Sequence, residues 1–339
     1  MIKKSMTRRE VVRVLGTSAL SALPAAAFAA GRQQSVNVPA SGPLLQVALV
    51  PCPDYDPETL IAAIRAGWRS SRPPEVRGKR VVIKPNIADF APGRPIHTDP
   101  RLVAALIIHL GDLGAREIIL AEGPPHNRDT EWLFRQTGFE ALARRRSVPL
   151  IDLNCDDVQP VKNVNPRATL LRELYLPKSI LSAEVLISVA KMKTHKLAGI
   201  TLSMKNMFGV LPGMKYGWPK NTLHWNGIPM SICEINGTVK THYSIIDGVV
   251  GMEGHGPIMG TARKAGVLVM GDNALSVDAT AARVMGVDPA RVEYLAMAHK
   301  IKLGSLRSEN IGVARETLDK FRTDFVLDPE YLFLRAPKG

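Results

Sequence analysis

Short, unbroken apolar runs that end in chemically capable polar residues are the feature that most limits how this chain can fold. They are VVI at 81–83, EIIL at 117–120, VLISVA at 185–190, YSII at 243–246 and VLVM at 267–270. A strand wetted on one face alternates apolar and polar residues, whereas an uninterrupted run marks a strand covered on both faces. Segments with helical periodicity separate the runs. The expected fold is therefore α/β: a mainly parallel, helix-covered sheet in one large domain with room for two lobes. No internal repeat is visible, which excludes solenoids and propellers.

The helix after the first of these runs is well specified. Asp99 can cap free backbone N–H groups and Pro100 suits the first helical position. Leu102, Val103, Leu106, Ile107 and Leu110 then recur at helical spacing, and Gly111 or Gly114 can end the helix. Further helices are expected near 130–137, over 197–211, and as a pair over 274–300. In the last of these Asp278 falls inside the apolar stripe, so it must meet a cation or backbone N–H donors.

The functional signal lies in the residues directly after each run. Lys84-Pro85-Asn86, Glu122-Gly123-Pro124, Lys191 through His195, Asp247-Gly248 and Gly271-Asp272-Asn273 all lie at carboxyl ends of expected strands. In open α/β sheets that edge forms the ligand crevice. Lys191, Lys193 and His195 alternate, so a continuing strand places them on one face, where three bases require an anion or carboxylates. Lys84, Asn86, Lys191, Lys205 and Asn206 are the expected substrate contacts. Lys193, His195 and His255 are the expected movers of protons, with imine chemistry also open to a lysine of lowered pKa.

The segment DGVVGMEGHGP at 247–257 reads three ways. Its glycines can let backbone N–H groups cup an anion, Asp247 and Glu253 can hold a divalent metal with the nearby imidazole, or the segment is a tight structural loop. His97 with Asp99, and Glu122 with His126, are weaker metal or acid–base pairs. The Gly/Pro-punctuated stretch between Pro212 and Pro229, with Tyr216, Trp218, His224 and Trp225, reads as a lid.

Net charge needs dissection before it argues for a polyanionic partner. The chain has 44 Lys and Arg against 31 Asp and Glu, a formal +13. Lys3, Lys4, Arg8, Arg9 and Arg13, against Glu10, belong to a leader with a short apolar stretch and an Ala27-Phe28-Ala29 cleavage pattern. Residues 1–29 read as an export signal, and the paired Arg8 and Arg9 resemble a twin-arginine signal, with a general secretory signal as the alternative; the first makes that export machinery a partner, and the destination is the periplasm or another exported location. Residues 30–44 read as a linker. No other stretch approaches the roughly 20 apolar residues of a membrane span, so none is expected after cleavage. No nucleic-acid reading module is recognisable. Cys52, Cys155 and Cys233 are isolated, without metal-ligand spacing.

Taken together, KPN at 84, HTDP at 97, AEGP at 121, KMKTH at 191, MKNMFG at 204, DGVVGMEGHGP at 247 and GDNALSVDATAARVMG at 271 resemble the domain-of-unknown-function 362 family, over about residues 45–300. Many relatives have Pro where Ala190 stands. Some carry appended iron–sulfur segments, and three dispersed cysteines cannot supply the usual four thiolates, so that cluster is not expected here. In layout the chain is also similar to nickel-dependent racemases. The resemblance implies an α/β domain over 45–315, followed by a C-terminal extension at 316–339; it transfers no reaction. The residues themselves suggest an exported enzyme acting on a small carboxylate or phosphate, with or without a divalent metal or other cofactor. The alternative is a non-catalytic anion- or metal-binding periplasmic protein.

Overall fold

The apolar runs do form strands, and most extend beyond the residues that announce them. The computed structural model describes residues 44–125 and 129–336. In chain order the first elements are β1 (Leu45–Pro51), α1 (Pro57–Ser70), β2 (Arg80–Pro85), α2 (Pro100–Asp112) and β3 (Glu117–Glu122). Next come α3 (Thr130–Gln136), α4 (Phe139–Arg146), β4 (Leu150–Asp152), β5 (Val158–Lys162), β6 (Glu173–Pro177) and α5 (Lys178–Leu181). The central part holds β7 (Val185–His195), β8 (Gly199–Thr201), α6 (Ser203–Asn206), α7 (Gly213–Tyr216), α8 (Asn221–Trp225) and α9 (Ile228–Thr238). The chain closes with β9 (Tyr243–Glu253), β10 (Thr261–Gly271), α10 (Ala274–Val284), α11 (Glu293–Lys300) and β11 (Ile311–Arg315).

The main sheet runs β11-β1-β10-β9-β7-β2-β3-β4, with β8 folded back on β7; β5 and β6 form a separate hairpin. Pairing is parallel from β9 through β7, β2 and β3 to β4, and again between β1 and β11. Only β10 and β8 run against their neighbours. The fold is thus the expected α/β, with a mixed, mainly parallel sheet.

Each face of the sheet has its own core. Along β7, Leu186, Ala190 and Met192 join one cluster and Val185, Ile187 and Val189 the other, as the two-residue period of a strand requires. Helices α1 to α4 cover the second face; α9, α10 and α11 cover the first. Helix starts follow local chemistry: Asp56 accepts from the Glu58 and Thr59 N–H groups ahead of α1, and Asp99 accepts from Arg101 N–H ahead of α2, each with proline next.

Two expectations are corrected. The stretch 197–211 is not one helix: Gly199 adopts φ +76°, the chain returns as β8 along β7, and only Ser203–Asn206 and the following 3₁₀ turn Met207–Val210 are helical. A hairpin satisfies the edge of β7, an option that side-chain periodicity does not reveal. Second, Gly271-Asp272-Asn273 lies at the opposite edge from the other four motifs. Strand β10 is antiparallel, and Gly271 pairs with Ser244 at the start of β9.

Residues beyond 315 belong to the same packed body. Phe321, Phe325, Leu327 and Leu334 are buried in the first core, and Phe325 N–H donates to the Met285 carbonyl at 3.0 Å. The residues read as export signal and the first part of the linker lie outside the described residues.

Candidate active site at the strand ends

At the carboxyl ends of β2 and β3 two opposite charges meet out of reach of bulk solvent. Lys84 Nζ donates to both oxygens of Glu122, at 2.7 and 2.8 Å, and both side chains are essentially inaccessible. The carboxylate also accepts the N–H groups of Ile87 (2.9 Å) and Gly123 (2.8 Å). Burial depresses the Lys84 amine below its ordinary value, and Glu122 opposes that shift. Asn206 Oδ1 accepts from Lys84 Nζ and from Asn86 Nδ2, each at 3.0 Å, while Asn206 Nδ2 reaches Ser188 Oγ. Among the described residues this leaves Asn86 Oδ1 buried without a partner.

Asp278 explains how Asn206 and Lys205 come to be there. From α10 its carboxylate accepts the N–H groups of Ser203 (2.8 Å) and Met204 (2.9 Å), anchoring the first turn of α6. Burial raises that carboxyl to about 8 although both backbone bonds pull it down. Of the two partners expected for Asp278, backbone donors are the ones present.

The Lys84–Glu122 pair forms part of the wall of a cavity of about 560 Å³. Lys193, His195, Lys205, His224 and His255 also line it, as does Thr201, whose buried hydroxyl has no protein partner. Lys193 is inaccessible, and its Nζ donates to the Ile96 carbonyl at 2.7 Å. Lys205 Nζ stands 3.8 Å from the centre of the Phe208 ring. Among the described residues neither amine has a carboxylate partner. Desolvation lowers both to about 7, aided at Lys193 by Lys191 and Lys205 and at Lys205 by Lys84.

The two inner imidazoles have opposite polarity. His195 Nδ1 accepts from Leu197 N–H at 3.0 Å, so its proton sits on Nε2. His224 Nδ1 contacts the Lys220 carbonyl at 3.1 Å; a carbonyl only accepts, so Nδ1 carries the proton and Nε2 offers a lone pair. Burial lowers both rings, His195 well below its ordinary value, with Lys205 adding to it, so both are neutral at pH 7. From the stretch read as a lid, Pro219, Asn221 and His224 line the cavity. The anchor of that stretch, not anticipated from sequence, is Lys220. This inaccessible amine donates to the carbonyls of Gly123, Phe208, Gly209 and Leu211.

Other expected residues sit elsewhere. Lys191 and Asp247 pair at 2.8 Å, and Tyr55 donates to Asp247 at 2.8 Å and accepts from Lys191. The pair is fully buried and, among the described residues, outside the cavity wall. Tyr55 itself carried no sequence signal. His97 Nδ1 bonds the Thr98 carbonyl, and Asp99 is held by Arg101 and its capping role. Glu253 accepts Val326 N–H and faces Arg263 at 3.7 Å, so it binds the C-terminal segment. Asp247 and Glu253 are six residues apart on one strand, roughly 20 Å, too far to share an ion. His255 stands exposed at the cavity mouth, bonded to Asp328 at 3.0 Å. His126 lies outside the described residues. Among those described, no three His, Cys, Asp or Glu side chains group as metal ligands.

The glycines at 248 and 251 are packing devices. A Cβ at Gly248 would lie 2.8 Å from the Val267 carbonyl, and one at Gly251 would lie 2.7 Å from the Met192 carbonyl. Of the three readings of this segment, the structural one describes these two positions.

Fold and site together define an α/β protein with a basic cavity at the ends of parallel strands. Residues 81–283 match the family described as Domain of unknown function (DUF362), more than half of the chain, and the protein belongs to that family. It is 25% identical over 272 residues to Thylakoid-associated protein sll1697 of Synechocystis sp., covering 78% of this chain and 81% of that one. Among solved structures it is similar to the lactate racemase apoprotein from Thermoanaerobacterium thermosaccharolyticum, with TM-score 0.41 and 14% identity over 63% of this chain. The match takes in 54% of that structure, so the chain corresponds to about half its length. No helix among the described residues is long and apolar enough to cross a membrane.

Proposed function

We propose that the protein binds a small carboxylate or phosphate in this cavity and acts on it as an enzyme through proton transfer. The observation that carries the reading is the pair Lys193 and Lys205, two amines without carboxylate partners in the wall of one cavity. An anion would supply the missing counter-charge, and Asn86 Oδ1 and Thr201 Oγ1 would take its hydroxyl or amide groups. His195 offers a donor and His224 an acceptor, the two polarities a proton transfer needs. We also read the Arg8-Arg9 leader as directing export of the folded chain.

Melting of the purified protein in inorganic phosphate, glycolate and malonate, with neutral glycolamide as control, tests the binding. At 100 times Kd a ligand adds about 2.7 kcal/mol, a rise on the order of 5 °C for a chain of this size. A saturable rise with at least one anion, absent in Lys193→Met/Lys205→Met, is expected. No rise with any anion, or a rise that survives in the double variant, overturns the reading.

A further inference from the structure

We propose that Lys193 is a nucleophile that captures the carbonyl carbon of small carboxylated aldehydes and ketones as an imine. Of the lysines lining the cavity, Lys84 is neutralised by Glu122, Lys196 is exposed, and Lys205 stands over the Phe208 ring, whose π face favours the ammonium form. Lys193 differs from all three. Its single hydrogen-bond acceptor is the Ile96 carbonyl, which orients the amine without supplying a negative charge. The ammonium of Lys191 and that of Lys205 both disfavour a further charge at this point, and Glu122 is already engaged by Lys84. The neutral amine therefore keeps its lone pair and a second N–H for chemistry.

The result is an amine near 7 in place of the ordinary ~10.4, with roughly a thousandfold more neutral form at pH 7 than an exposed lysine. The step balances without an oxidant. The amine lone pair adds to the carbonyl carbon, and the nitrogen proton passes to the alkoxide oxygen to give a carbinolamine. Loss of that hydroxyl as water then forms the C=N bond. His224, whose free Nε2 belongs to a ring in the same cavity wall, would accept the nitrogen proton and return it to the departing hydroxyl. Lys205 would hold the substrate carboxylate; this part alone rests on the anion-binding reading above.

Treating the full chain at pH 7 with glyoxylate and borohydride converts any imine to a stable carboxymethyl-lysine, which peptide mapping locates. Lys193 is expected to carry the group in excess over Lys205 and, by a factor on the order of ten or more, over the exposed lysines. Label spread over exposed lysines, or concentrated at Lys205, overturns the proposal on the wild-type protein, whatever the folding of variants. Lys193→Met should abolish the site-specific label, and Lys205→Met should keep it while raising the glyoxylate concentration needed. Acetaldehyde separates the two readings: labelling of Lys193 as efficient as with glyoxylate supports the nucleophile and overturns the carboxylate clamp.

Discussion

Lys84 and Lys193 are both buried in the wall of one cavity, yet their charges meet different fates. Glu122 and two further acceptors, the Pro85 carbonyl and Asn206 Oδ1, make Lys84 a fixed structural cation, whereas Lys193 has one carbonyl and cationic neighbours in Lys191 and Lys205. Its folded value of about 7 lies below the 10.5 of an unconstrained lysine. Between those values the unfolded chain binds more protons, so Lys193 makes stability rise with pH across that window. The expectation is that unfolding free energy gains about 1 kcal/mol more between pH 7.5 and 8.5 in wild type than in Lys193→Met, by denaturant titration. Equal slopes in the two proteins would mean that the amine stays fully charged in the fold. Comparing wild type with variant removes the opposing contribution of Asp278 and the like one of Lys205, which both proteins share.

At the scale of elements, the 3₁₀ turn Met207–Val210 shows how closely backbone must approach the buried pair. A Cβ on Gly209 would lie 2.2 Å from Glu122 Oε1 and 2.6 Å from Lys84 Nζ, whereas one on Gly111 in α2 would meet nothing. Gly209→Ala should therefore cost about 1–3 kcal/mol by overpacking, and Gly111→Ala should be neutral or slightly stabilising; similar effects in chemical unfolding would refute this account. The elements that were legible share one property, a local cause. Runs covered on both faces, the Asp99-Pro100 start and the buried stripe around Asp278 are all dictated within a few residues. The return of β8 on β7 and the reversal of β10 on β9 are hairpins, closed between His195 and Gly199 and between Glu253 and Thr261, but an apolar run carries no direction, so VLVM reads the same either way. Lys191 and Asp247 are 56 residues apart, so they were recognisable as strand-end residues but not as each other's partner. Lys220, at φ +65° in an irregular stretch, has no periodic signal at all. His224 was visible as part of a lid; only its bond four residues back to the Lys220 carbonyl assigns its protons.

For the whole molecule, part of the basic excess lies in the leader and part in the cavity wall, where, among the described residues, Lys84, Lys193, Lys196 and Lys205 face the single carboxylate of Glu122. If Arg8 and Arg9 form the export signal, replacing both by Lys should retain the full chain inside the cell, as cell fractionation would report; unchanged export would sink that assignment. The sheet adds a constraint on timing. Strand β1, the earliest in the described chain, is seated between β10 and β11, and its register binds Val47 to Gly271 on one side and to Val313 on the other. A ribosome emitting this chain thus releases the central strand of one sheet half more than two hundred residues before either neighbour exists. Until then both edges of β1 remain unsatisfied, so this half of the sheet waits for β10 and β11 to emerge, and the nascent β1 needs protection from other edges in the meantime.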